Sequence, residues 1–176
     1  NLGLEVEGRF DFKRFSDALD GLTLGANLTL VRSQVRFDRA DQPLATNLDR
    51  PMAGQSPYVV NVSLSWDPDP DQSPVAFALF YNVFGERITE VGSVGLQDIY
   101  QQPFHSMNLT AKWAVNDLVT LKLTMKNIGD IPLLIGSAIA DGEGQGQVQE
   151  FLQDGIVVYS YEPGLSATLG LGLSFD

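Results

Sequence analysis

From Leu165 onward every second residue is apolar: Leu165, Ala167, Leu169, Leu171, Leu173 and Phe175, with only Ser166, Thr168, Gly170, Gly172 and Ser174 between them. A period of two is the repeat of an extended strand, whose side chains alternate between two faces. A helix would bring apolar residues back after three and four. This strand therefore has one hydrocarbon face and one small, wettable face. A chain made of such strands must lay each apolar face against a packed core or against lipid, and strands with water on one side and hydrocarbon on the other build membrane β-barrels.

Six segments upstream repeat the pattern. The first sets Leu2, Leu4, Val6, Gly8, Phe10 and Phe12 against Glu5, Glu7, Arg9 and Asp11. The second sets Leu22, Leu24, Ala26, Leu28 and Leu30 against Thr23, Gly25, Asn27 and Thr29. The third runs from Tyr58 to Trp66 through Val60, Val62 and Leu64, opposed by Asn61, Ser63 and Ser65. The fourth runs from Val75 to Val83 through Phe77, Leu79 and Tyr81, opposed by Ala76, Ala78, Phe80 and Asn82. Met107, Leu109, Ala111 and Trp113 form the fifth, against Ser106, Asn108, Thr110 and Lys112. Val119, Leu121, Leu123 and Met125 form the sixth, against Thr120, Lys122, Thr124 and Lys126. The expected fold is all-β, an antiparallel meander of about seven transmembrane strands.

The connections alternate in length. Residues 67–73 and 114–118 read as tight turns, and 13–21 as a slightly longer one with a helical turn around Ser16–Leu19. Those at 38–57, 85–103 and 127–160 are long. Short turns at one end and long loops at the other are the asymmetry of an outer-membrane barrel. Trp66, Trp113 and Phe175 fall toward the short-turn end, and Tyr58, Tyr81 and Phe104 toward the long-loop end, as membrane-interface belts require. Seven is an odd count, whereas single-chain bacterial barrels have even numbers of strands. The expectation is a missed strand or a share in a larger barrel.

The 176 residues suffice for one domain, with no cysteine and a formal charge of −11. Such acidity argues against nucleic acid as a partner, because binding its phosphates needs clustered Lys and Arg. No apolar run approaches a transmembrane helix, which says nothing against strands. The chain opens on Asn and carries no basic, hydrophobic leader, so we expect it to be processed or cut from a longer one.

The charged strand residues Glu5, Glu7, Arg9, Asp11, Lys112, Lys122 and Lys126 fall on the wettable faces, so we take Glu5, Glu7, Arg9, Lys112, Lys122 and Lys126 as lumen-facing candidates. Asp67, Asp69 and Asp71 alternate as in a calcium loop, but Gln72 and Ala78 replace its Gly and Glu; a charged, proline-stiffened turn is expected. Gly142–Gly146 lacks the Lys and Ser/Thr of a phosphate loop and reads as a loop tip. The Asn-x-Ser/Thr triplets at Asn27, Asn61 and Asn108 lie inside strands, so these amides read as inward-facing polar residues. The single histidine, His105, is expected near a loop end and solvated. It allows no His-pair metal site and no Ser-His-Asp arrangement. No catalytic residue, cofactor or metal is expected, and the chain does not read as an enzyme.

Four segments carry a family likeness. Arg50-Pro-Met-Ala-Gly-Gln-Ser-Pro-Tyr-Val-Val-Asn61, Tyr81-Asn-Val-Phe-Gly-Glu-Arg-Ile88, Lys126-Asn-Ile-Gly-Asp130 and Tyr161-Glu-Pro-Gly-Leu-Ser166 resemble, in order and spacing, segments of the late strands of TonB-dependent outer-membrane receptors. The likeness covers about residues 20–175. Leu165 stands where the family often has Arg, and Asp176 follows the aromatic that usually ends its chain. The resemblance implies the last seven strands of a plugged barrel of 22, whose plug and earlier strands are absent here. It implies a Gram-negative outer-membrane location, active uptake of a scarce large solute (a chelated metal, cofactor or glycan), and outer-membrane lipid as surroundings. The C-terminal strand would be read by the barrel-assembly machinery, and the energy-coupling protein TonB would be met only through the absent plug. Two other classes stay open: a small complete porin-like barrel, and a soluble lipocalin-like barrel around an apolar ligand.

Overall fold

The computed structural model describes residues 1–137 and 156–174. In chain order its strands are β1 (Leu2–Asp11), β2 (Leu22–Arg32), β3 (Val35–Arg36), β4 (Asp49–Arg50), β5 (Tyr58–Trp66), β6 (Val75–Phe84), β7 (Arg87–Glu90), β8 (Ile99–Gln101), β9 (Phe104–Ala114), β10 (Val119–Lys126), β11 (Leu133–Ser137), β12 (Ile156–Tyr161) and β13 (Ser166–Leu173). The chain is all-β. The seven long strands are those expected, and they form one sheet in the order β1-β2-β5-β6-β9-β10-β13, every neighbour antiparallel. The sheet does not close. β1 pairs only with β2, and β13 only with β10, among the described residues.

Register follows from the alternation. Leu24 faces Phe10 and Leu64, Leu64 faces Leu79, Leu79 faces Leu109, and Leu123 faces Leu169, so apolar residues meet apolar across the whole width. A slip of one residue would put each of these rows on the wet face. Charge is nearly excluded from the apolar face: among the described residues of the seven strands only Arg32 brings one, opposite Leu2 at the long-loop end.

The short turns are closed by their own polar side chains. Asn116 Oδ1 accepts from the amides of Leu118 (3.0 Å) and Val119 (2.8 Å). Asp69 Oδ1 accepts from the Asp71 amide at 3.0 Å, so this carboxylate serves the turn, as expected of the Asp-Pro run. Between β1 and β2 lie two 3-10 turns, Phe12–Arg14 and Asp17–Leu19; the second is capped by Ser16 and matches the helical turn expected there. β1 ends one residue early because Asp11 caps the first of these turns. Conversely, β9 begins at Phe104 and takes in His105.

The long connections carry further strands. They hold β3 and β4, which pair with each other, and a four-stranded sheet in the order β12-β11-β8-β7. That order repeats β13-β10-β9-β6, so the second sheet carries the same four strands onward past a break in each. Loops 33–57 and 85–103 are also joined: the Val94 amide donates to Leu44 O (2.7 Å), the Thr46 amide to Gly92 O (3.3 Å) and the Gly54 amide to Ile88 O (2.8 Å). Four of the best-buried side chains collect in loop 85–103, namely Ile88, Asp98, Gln101 and Gln102, with Val83 of β6 and Asn127 after β10 next. Gly85 makes room at the junction, since a Cβ there would meet the Tyr58 ring at 2.6 Å.

Candidate functional site

The wettable side of the long sheet gathers the polar groups. An amide chain crosses four strands: Asn82 Nδ2 donates to Asn61 Oδ1 (2.7 Å), Asn61 Nδ2 to Asn27 Oδ1 (3.4 Å), and Asn27 Nδ2 to Glu5 Oε1 (2.7 Å). Register builds this chain, because Asn27 stands opposite Asn61 and Asn61 opposite Asn82. Asn108, the third triplet asparagine, lies on the same face and accepts from the Asn127 amide at 3.1 Å. Phe80 is on this polar side between Ser63 and Asn108, yet 47% exposed.

Clefts among the described residues lie along the sheet. The middle one, 450 Å³, is lined by Glu7, Arg9, Asn27, Asn61, Phe80 and Asn82. Toward the short turns a second, 420 Å³, is lined by Arg9, Thr23, Ser65, Asp67, Thr110 and Lys112. At the long-loop end a third, 430 Å³, is lined by Gln55, Tyr58, Glu86, Ile88, Tyr100 and three prolines. Burial pushes the Glu86 carboxyl above its ordinary range, although Gln102 Nε2 donates to it at 3.0 Å. The Tyr100 hydroxyl is pushed up to about 12, first by burial and then by the nearby carboxylates of Asp98 and Glu86.

The six lumen-facing candidates share this polar side. Glu5 anchors the amide chain; Glu7, Arg9 and Lys112 line clefts; Lys122 stands opposite Lys112, and Lys126 opposite Ser166. The aromatics divide by level. Tyr58 opens β5 at the long-loop end. Trp66 closes β5 at the other, its indole N–H donating to Asp20 O at 3.2 Å, and Trp113 stands one residue from the end of β9, half exposed. Tyr81 lies on the apolar face toward the long loops, and its hydroxyl is 2.7 Å from His105 Nδ1. His105, expected to be solvated, is thus half-buried on the apolar face. Phe175, Asp176 and the Gly142–Gly146 segment lie outside the described residues.

Sequence reasoning missed the loop-base group of Glu86, Asp98, Tyr100, Gln101 and Gln102. Asp98, 2% exposed, accepts from Asn47 Nδ2 and the Gly92 amide, both at 2.7 Å. No local signal marks this group, since β7 (Arg87-Ile-Thr-Glu90) holds a single apolar residue. No family model, curated protein or solved structure matches the chain.

Proposed function

We propose that the chain is part of the wall of a TonB-dependent receptor barrel in a Gram-negative outer membrane, taking up a scarce large solute. One observation carries this reading: a seven-stranded antiparallel sheet has a continuous apolar face that nothing in the described chain covers. Among the described residues only Val83 and Ile88 are buried aliphatic side chains, while Leu4, Leu30, Leu169 and Leu171 stand 42–73% exposed. A water-soluble domain does not leave such a face bare. Five of the seven strands have nine to eleven residues, the length a tilted strand needs to cross hydrocarbon, and β10 and β13 have eight.

Strand direction supports a larger ring. Seven antiparallel strands leave β1 and β13 pointing the same way, so joining them, or joining β13 to the β1 of a second copy in a ring, makes a parallel seam. Antiparallel closure calls for an odd number of further strands, and 22 less the seven described leaves fifteen. In this reading the amide chain and Phe80 face the plug, and the joined loops supply part of the outer binding surface. The test is to bring the chain out of denaturant into buffer and into detergent micelles. β-Structure that forms only in the micelles is expected. A monodisperse, folded monomer in plain buffer would overturn the reading and favour a soluble barrel.

A further inference from the structure

On the long strands β2, β5, β6, β9, β10 and β13 the polar side carries three charges, Lys112, Lys122 and Lys126, and no carboxylate, in a chain of net charge −11. Lys112 and Lys122 are direct cross-strand partners, an arrangement that costs stability when both are charged. Their outer neighbours in the ladder are Ala76 and Gly170, too short to screen them. Arg9 stands opposite Gly25 and reaches the same 420 Å³ cleft as Lys112. Neither Lys112, Lys122 nor Arg9 has an ion-pair partner among the described residues, where the pairs are Lys13–Asp20 and Arg36–Asp49. Asp67 also lines the cleft without pairing to either cation, and the hydroxyls of Thr23, Ser65 and Thr110 add donors.

We propose that the cleft between Arg9 and Lys112, with Lys122 beside it, holds an oxyanion, a carboxylate or phosphate group. An oxyanion takes charge-assisted hydrogen bonds from ammonium, guanidinium and hydroxyl donors, and its charge cancels the Lys112–Lys122 repulsion. Neutral solutes leave that repulsion in place and cations add to it. This assignment does not rest on the membrane reading.

Two arms test it on the full folded chain at low ionic strength, in detergent if it needs detergent and in buffer if it does not. In the first, inorganic phosphate is titrated against the unfolding midpoint. A bound free oxyanion raises the midpoint, and K112M/K122M weakens the apparent affinity by about tenfold or more. In the second, carbodiimide cross-linking and mass spectrometry look for an isopeptide from Lys112 or Lys122 to an Asp or Glu. A link formed in the folded protein and lost on denaturation shows the oxyanion to be a carboxylate of a protein segment. Either result supports the site, with Lys126→Met as a control that leaves both readouts unchanged. The proposal is overturned if neither effect is seen, or if the phosphate shift survives in K112M/K122M.

Discussion

Asn47 and Asp98, 51 residues apart in the chain, meet at 2.7 Å, and the second Asp98 oxygen takes the Gly92 amide at the same distance. This carboxylate holds two long loops together from a buried position. Asp98→Ala strands both donors, at a cost of about 2–3 kcal/mol. Because the seven-strand sheet does not depend on the contact, the loss is expected locally. Limited proteolysis should open loops 33–57 and 85–103 while the long strands keep their hydrogen-exchange protection.

Val94 has φ 54° and is followed by Gly95 at φ 84°, in a turn where the Leu96 amide donates to Ser93 O at 3.0 Å. Two left-handed central residues favour Asn-Gly, and a β-branched side chain there is strained. The Val94 side chain is 74% exposed and has little packing to lose. Val94→Asn should therefore stabilise the loop by about 1 kcal/mol, read as slower amide exchange at Gly92 and Leu96.

Val62 and Ser63 are neighbours in the middle of β5 on opposite faces. If the apolar face meets lipid, Val62→Arg costs about 2–4 kcal/mol in a bilayer, and Ser63→Arg on the polar side costs far less. Reversible unfolding from lipid vesicles measures both. Equal costs would sink the assignment of faces.

Glu86 has its carboxyl pKa raised by burial, so the folded state prefers it protonated. That penalty is present above the folded pKa and relieved as pH falls through it. Glu86→Gln keeps an oxygen for the Gln102 amide and removes the charge. The variant should be more stable than the parent at neutral pH, with the difference vanishing below about pH 4. Unfolding midpoints across that range check the sign.

The long strands were legible because each carries its own signal. From Val60 to Trp66 apolar and polar residues alternate without a break, and β5 (Tyr58–Trp66) contains that run. The same alternation placed Glu5, Arg9, Lys112 and Lys122 on the polar side. It did not show that Arg9 and Lys112, on strands separated by three others, line one cleft. That needed the register of every strand between them and the bare backbone at Gly25. His105 was misread because Phe104 and His105 precede the alternating run, yet β9 starts at Phe104 through its pairing with Phe84.

By itself, then, the sequence determined the seven strands, their two faces and the turns at one end, because period two and turn chemistry act over a few residues. Only the tertiary structure decided the second sheet, the joined loops and the buried Asp98. β7, β8 and β11 are three to five residues long, too short to announce themselves. They exist because partners from other loops satisfy their backbone hydrogen bonds, and no local pattern encodes that pairing.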